Sequence, residues 1–329
     1  PRVLPRIIPL PSVEGSGRYY FVLLADLLRT FMVELFSNIA VKGVYQFRVT
    51  RNSNLFVDEE EIDDLMKSLA WELPSRRYGE AVRLEVESTL SDALKNLLLK
   101  QFKLVEDDLY CADGPLNLSR LVAIYDLVDL PQYKFDPIIP VVPKVLARSP
   151  KIFEGLSEQD YLLHHPYESF QPVQDFLRQA ASDPKVLVIK QTLYRTGYDS
   201  VLVDYLVEAA RRGKEVTVVV ELRAKFDEEA NINLATKLQE AGAHVSYGVV
   251  GYKTHAKMLM VVRREGESIK RYVHLGTGNY HEKTARLYTD FSFFTTDKEI
   301  CEDVHHIFLQ ITGLTKPNKL KKITAMQRK

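Results

Sequence analysis

Arg195, Lys225 and His255 stand at equal intervals of 30 residues, and each follows a β-like run: residues 186–189 before Arg195, 216–220 before Lys225, and 245–247 with a turn over 248–252 before His255. Helical segments separate these runs. A step of that length matches one strand plus its crossover helix, so successive units of a parallel sheet would bring the three side chains to one edge. Open α/β sheets bind ligands there, outside the carboxyl ends of the strands. Two cations around a titratable imidazole suit phosphate chemistry, because fixed positive charge offsets charge on phosphoryl oxygens while a neutral ring nitrogen attacks phosphorus. On spacing alone, three unrelated surface cations on similar loops are an equal reading. A second pattern sharpens the first: His255-Ala256-Lys257 is followed by Gly276-Thr277-Gly278-Asn279. Residues two apart on a strand share a face, so His255 and Lys257 are expected to point into one pocket.

The elements that must hold these residues are legible in outline. At 329 residues, with 46% hydrophobic and 27% charged, the chain suits two globular domains with their own cores. Lys+Arg and Asp+Glu both number 44, so no global field favours nucleic acid or an anionic membrane, and any polyanion must be held locally. Cys111 and Cys301 are far apart and outside any CxxC spacing, which points to a reducing, cytoplasmic setting without a disulfide framework or zinc site. Residues 19–36 are the most apolar stretch but contain Asp26, Arg29 and Glu34, so they are expected to form an amphipathic helix rather than a membrane span. The chain opens on Pro1 and closes on a basic tail over 316–329. Both ends are expected to be cuts in something longer.

After that helix the pattern predicts a strand over 44–49, a helix over 59–71 capped by Asp58, a strand over 81–87, and helices over 91–102 and 118–128. These make an α+β domain. Five prolines between 131 and 150 deny that stretch both helix and central strand. From residue 185 strands and helices alternate. Asp199 or Ser200 caps a helix ending at Gly213, and Asp227 caps one ending at Gly242. Further strands are expected over 258–262, 272–275 and 291–295, with a last helix over 298–311. The second domain is therefore expected to be α/β, with a mostly parallel sheet flanked by helices.

The HxK and GTGN pair resembles the phospholipase D-like superfamily, whose members attack phosphorus with a histidine. That pattern expects Asp five residues after the lysine, where this chain has Val262, which argues against the phosphodiesterase branch. Longer strings narrow the resemblance: QTLYR (191–195), VELRAKFDEEANI (220–232), KTHAK (253–257), LGTGNY (275–280) and TARLYTD (284–290), with DYLLHHPYESF (160–170). Together they resemble polyphosphate kinase of the first type, over most of the chain. The resemblance implies an α+β head domain at 1–135, a phospholipase D-like first catalytic domain at 136–314, and the start of a missing second catalytic domain at 315–329. Family members are about twice this long, so the 329 residues alone are expected to fold but not to synthesise polyphosphate.

By the same resemblance, His255 matches the phosphorylated histidine and Arg195 the arginine of the magnesium–phosphate site. Tyr288 matches the tyrosine that contacts the nucleotide. Lys225 stands where the family usually has a second arginine, keeping the charge and losing the bidentate fork. The implied activity is reversible transfer of the terminal phosphate of ATP to polyphosphate through phospho-His255. Lys257 would assist, ATP or ADP would be the substrate, and Mg²⁺ would be reached through phosphate at Arg195 and Lys225. A homo-oligomer without nucleic acid or membrane partners is implied as well. Asn279 and His274 are candidates for supporting that site. For His274, facing the site and lying away from it are even readings; Tyr288 has a second reading as a core aromatic. His164 and His165 read as structural, with a second reading in which one of them reaches the pocket, and His305 and His306 read as surface or packing residues of the last helix. Two rival functions remain on the sequence: a phospholipase D-like phosphodiesterase or nuclease completed by dimerisation, and a non-catalytic module binding polyanions through Arg195, Lys225 and Lys257.

Overall fold

The structure, a computed structural model, describes residues 4–11, 17–36, 39–52, 66, 73, 79–144, 146, 151–197, 200–222, 224, 227–247, 253–314 and 319–325. The chain divides into two compact units, Pro1–Leu55 with Pro74–Asp136, and Phe56–Leu73 with Pro137–Lys329. In the first, Ile7–Leu10 (β1) pairs antiparallel with Tyr20–Leu23 (β2), ahead of short helices Leu24–Thr30 (α1) and Met32–Leu35 (α2). The single helix expected over 19–36 is thus divided. Its first residues are strand because β1 offers them backbone partners from Leu10↔Tyr20 to Ile7↔Leu23, and pairing overrides local propensity.

Phe47–Arg51 (β3), Ala81–Glu87 (β4) and Leu109–Ala112 (β5) form a three-stranded sheet in that order, antiparallel then parallel. Helix Asp92–Phe102 (α3) crosses over between β4 and β5, and Leu84, Val86, Leu90 and Leu99 make its small core. The helix expected over 118–128 is a 3-10 turn, Leu118–Val122, continued by Ala123–Leu127 (α4). The helix expected over 59–71, with its Asp58 cap, lies almost entirely outside the described residues.

The second unit is a seven-stranded sheet with helices on it. Its elements are Ile152–Glu158 (α5), Tyr161–His164 (β6), Gln171–Ser182 (α6), Val186–Leu193 (β7), Val201–Arg211 (α7), Glu215–Val220 (β8), Glu228–Glu240 (α8), His244–Ser246 (β9), Lys257–Glu265 (β10), Ser268–Gly276 (β11), Glu282–Ala285 (α9), Phe291–Thr295 (β12) and Lys298–Ile311 (α10). The strand order is β6-β12-β11-β10-β7-β8-β9. Only β7, β8 and β9 run parallel, and the other four pairings are antiparallel. The expectation of a mostly parallel sheet is therefore wrong. Its cause lies in the connections: α7 and α8 are crossovers, whereas β10 and β11 are joined by a tight turn at Gly266, whose φ of 62° suits glycine. A turn that short permits only an antiparallel neighbour.

Both faces are covered. α10 packs Cys301, Val304, Ile307 and Phe308 on Val219, Met258, Met260 and Val273. On the opposite face Phe153, Phe176, Tyr272 and Phe294 form an aromatic cluster of tilted and edge-to-face contacts. Asp297 caps α10, its Oδ1 accepting from the Glu299 and Ile300 amides at 3.0 and 2.9 Å, as the composition of that terminus demands. Burial pushes the Cys301 thiol up to about 12, which keeps it unreactive; Cys111 is a free, exposed thiol. Among the described residues no helix is long and apolar enough to cross a membrane.

Candidate active site

Strand direction explains why distant residues meet. β7 and β8 run parallel with Leu193 beside Val220, so Tyr194-Arg195 and Glu221 leave the sheet at the same edge. β10 runs against β7, and its first residue, Lys257, lies opposite Gly276, the last of β11. Gly276 in turn lies opposite Ser292 near the start of β12. Arg195, His255, Lys257, the 276–279 loop and Asp290 therefore share one edge. His255 arrives there by entering an antiparallel strand, and not by leaving a third parallel one. It also precedes β10 rather than lying in it, which corrects the expectation that alternation along one strand pairs it with Lys257.

The backbone around His255 is held on both sides. Glu221 Oε2 accepts from the Thr254 amide at 2.7 Å. Thr192 Oγ1 donates to the Ala256 carbonyl at 2.7 Å and accepts from the Met258 amide at 3.0 Å. Asn231 Nδ2 donates to the carbonyls of Tyr194 and Glu221, both at 2.8 Å, tying the ends of β7 and β8 together from α8. Thr192→Val keeps the shape and leaves a buried strand amide without its acceptor; it is expected to destabilise the protein by about 1–3 kcal/mol in a denaturant melt.

Between these anchors the His255 side chain is exposed. The Tyr194 ring meets it edge-on, with centroids 4.9 Å apart and an interplanar angle of 82°. The same ring lies beneath two cations, Lys257 Nζ at 5.2 Å and the Arg195 guanidinium at 5.6 Å from its centroid, a distance at which the ring quadrupole attracts positive charge. Arg195 Nε also pairs with Asp227 Oδ2 at 3.3 Å. Partial burial, then the charges of Lys257 and Arg195, hold His255 below its usual 6.5. Its imidazole is thus neutral, with a lone pair available, near neutral pH.

Lys257 is buried, and its Nζ donates to the His255 carbonyl at 2.5 Å. Burial brings it down to about 8, with Asp290 opposing and Arg195 adding to the shift. Asp290 itself accepts from Thr277 Oγ1 at 2.8 Å, and that hydroxyl accepts from the Phe291 amide at 2.8 Å. Gly278 is required by space, since a Cβ there would lie 2.4 Å from Asp290 Oδ2.

The sequence-derived candidates fare unequally. Arg195, His255 and Lys257 come together around Tyr194. Lys225 lies outside the described residues. Asn279 is half-buried in the adjoining loop, where its carbonyl accepts from the His281 amide at 2.7 Å. His274 is fully buried behind Gly276; its Nδ1 bonds the Tyr280 hydroxyl at 2.9 Å, and burial followed by the His165 charge brings it down to about 3. Its imidazole is therefore neutral, and its Nε2 is buried with no partner among the described residues. Tyr288 is 62% exposed, which sets aside its reading as a core aromatic. His165 is structural, bonded to Ser292 Oγ and the Glu168 carbonyl at 2.8 Å each.

Reasoning from sequence assigned no part to Tyr194, Thr192, Glu221, Asn231 or Asp290. Tyr194 and Glu221 were signalled by their position immediately after strands. Asp290 closes the TARLYTD string, but only the pairing of β11 with β12 brings it near Lys257.

Residues 151–317 match the family model described as Polyphosphate kinase C-terminal domain 1, and residues 1–124 the one described as Polyphosphate kinase middle domain. A polyphosphate kinase of Pseudomonas aeruginosa is 54% identical over 323 residues, which make up 98% of this chain and 47% of that protein. One from Burkholderia ambifaria is 55% identical over 318 residues, 95% of this chain and 46% of that protein. The crystal structure of polyphosphate kinase from Porphyromonas gingivalis superposes with a TM-score of 0.77 at 26% identity, covering 97% of this chain and 46% of that one. The chain spans about half the length of the curated relatives it matches.

Proposed function

Because the chain belongs to the polyphosphate kinase family, we propose that it carries the phosphoryl-accepting half of an ATP:polyphosphate phosphotransferase, with His255 as the nucleophile. The observation that supports this most is the setting of His255: a neutral, exposed imidazole fixed by backbone bonds at positions 254 and 256, with Lys257 and Arg195 beside it. In the forward direction a ring nitrogen of His255 attacks the terminal phosphorus of ATP in line. The P–N bond forms as the bond to the β,γ-bridging oxygen breaks, and ADP leaves with that electron pair. The terminal oxygen of a polyphosphate chain then attacks the phosphoramidate and regenerates the imidazole. Each step is reversible.

Lys257 and Arg195 offset the charge that the phosphoryl oxygens carry in transfer, an effect that counts most in a site shielded from water. Both cations lie over the Tyr194 ring. Among the described residues no three His, Cys, Asp or Glu side chains are grouped to hold a metal. Magnesium would accordingly be carried on phosphate oxygens, where it supplies further charge neutralisation, and Arg195 and Lys225 would bind the same phosphates. Tyr288 would stack on adenine from its exposed position. In this reading residues 1–135 are the head domain, 136–314 the phospholipase D-like catalytic domain and 315–329 the beginning of a further one. The boundary between compact units at Asp136 and Pro137 supports the first division.

The titration of the two central groups sets the pH dependence. Transfer needs His255 neutral and Lys257 charged. In a full-length family enzyme carrying this segment, turnover is therefore expected to rise as pH climbs through a value below 6.5 and to fall as pH passes about 8. Lys257→Arg keeps the charge at high pH and is expected to remove the alkaline limb while leaving the acid limb in place. Polyphosphate formation from ATP and Mg²⁺ across pH 5–10, with both proteins, checks this. An alkaline limb unchanged by Lys257→Arg would exclude Lys257 as its origin.

A further inference from the structure

A second cleft, of about 360 Å³, opens one residue beyond Arg195, where the loop after β7 meets the start of α7 and the 280–283 segment. Thr196, 4% exposed, lines it, and its buried Oγ1 has no partner among the described residues. An unpaired buried hydroxyl is costly unless a ligand or water completes it. One wall is the N-terminus of α7, an 11-residue helix whose N-cap, Ser200, makes no side-chain cap bond. The first turn tightens instead through the Val203 and Asp204 amides, which both donate to the Ser200 carbonyl. Among the described residues the amides of Val201 and Leu202 donate to no backbone acceptor, as is usual for the first amides of a helix, and both residues line the cleft.

The opposite wall is His281 and Lys283. His281 Nδ1 accepts from the Thr284 amide, so the neutral ring keeps its proton on Nε2. That nitrogen lies against Gly197, where a Cβ would approach it to 2.9 Å and where φ is +75°. Among the described residues, Glu282 accepts from Arg286 at 2.7 Å and Gln174 at 3.2 Å, and Asp204 pairs with Lys237 at 2.6 Å. Among the described residues lining the cleft, the Thr196 hydroxyl and the first amides of α7 are possible donors and Lys283 is a cation.

We propose that this cleft is a second oxyanion subsite that takes one phosphate group, held by Thr196 Oγ1, the first amides of α7, and Lys283. Two sources share that chemistry: a residue of a polyphosphate chain whose end lies at His255, and free orthophosphate. Only the choice between them rests on the proposed function, because the donors stand whatever His255 does.

The test is calorimetric titration of the 329-residue chain with polyphosphate and, separately, with orthophosphate, in the unaltered protein and in Thr196→Val, Lys283→Met and Arg195→Ala. Thr196→Val removes an unpartnered hydroxyl, so its thermal melt is expected to be unchanged or higher while affinity falls about tenfold, the weight of one hydrogen bond to a charged group. Lys283→Met should weaken the same probe. If Thr196→Val, Lys283→Met and Arg195→Ala all weaken polyphosphate, and orthophosphate binds feebly throughout, the occupant is part of a chain that spans both sites. If orthophosphate binds and is weakened by Thr196→Val and Lys283→Met but not by Arg195→Ala, the subsite serves free phosphate. If neither Thr196→Val nor Lys283→Met weakens either probe, the proposal is wrong. That failure is separate from failure of the phosphohistidine reading, which turns on labelling of His255.

Discussion

His255→Ala, in a full-length family enzyme carrying this segment, loses transfer from ATP to polyphosphate by at least about 10³-fold, the scale on which removing a nucleophile acts. The substitution takes away the atom that bonds phosphorus, so no other group can share the loss. Folding should be spared. His255 is exposed, and the bonds that fix its surroundings run from Glu221 to Thr254 and from Thr192 to Ala256, through backbone that alanine retains. Turnover by continuous assay and a thermal melt of the same preparation separate the two effects. Substantial residual transfer with an unchanged melt would mean that phosphate passes directly from ATP to the chain, with the histidine in a supporting part.

Lys257→Met should lower turnover by about 10²–10³-fold, the range for one preorganised stabiliser of transition-state charge. Stability should move the other way or not at all. The ammonium is buried, and burial already brings it down to about 8, so a methionine of similar length relieves a desolvation cost. Its one direct bond, to the His255 carbonyl, leaves behind an acceptor near solvent. A variant that melts at or above the parent temperature while losing most of its turnover would identify a charge kept for chemistry. Unchanged turnover would assign Lys257 to packing against Tyr194.

Much of the arrangement was legible. The last helix was expected over 298–311 and is found at Lys298–Ile311, because Asp297 supplies a strong cap and the apolar period is unbroken. The steps from β7 to β8 and from β8 to β9 are parallel crossovers, as the 30-residue interval required. The interval fails at its third member, where His255 enters β10 antiparallel to β7. Nothing local in residues 245–257 distinguishes those two routes to the same edge. Hairpin pairing around Gly266 decides it, and long-range register decides Asp290 likewise. Strand 20–23 was hidden for a related reason: its apolar run suits helix or strand, and β1 selects between them. The chemistry-bearing residues were easier to see than their supports, since Arg195 and His255 fall at strand ends. Thr192 and Asn231 each act through a pair of side-chain hydrogen bonds to distant backbone, which sequence patterns do not encode.

The most direct measurement is site mapping of the phosphoenzyme. The full-length protein, treated with ATP and Mg²⁺ and quenched in base, is digested and its peptides are sequenced by mass spectrometry without acid exposure. One phosphate, acid-labile and base-stable as a phosphoramidate is, is expected on His255, and it is expected to disappear when polyphosphate is added as acceptor. Label on His274, His281 or any serine, or transfer at full rate with His255 unmodified, would contradict that expectation.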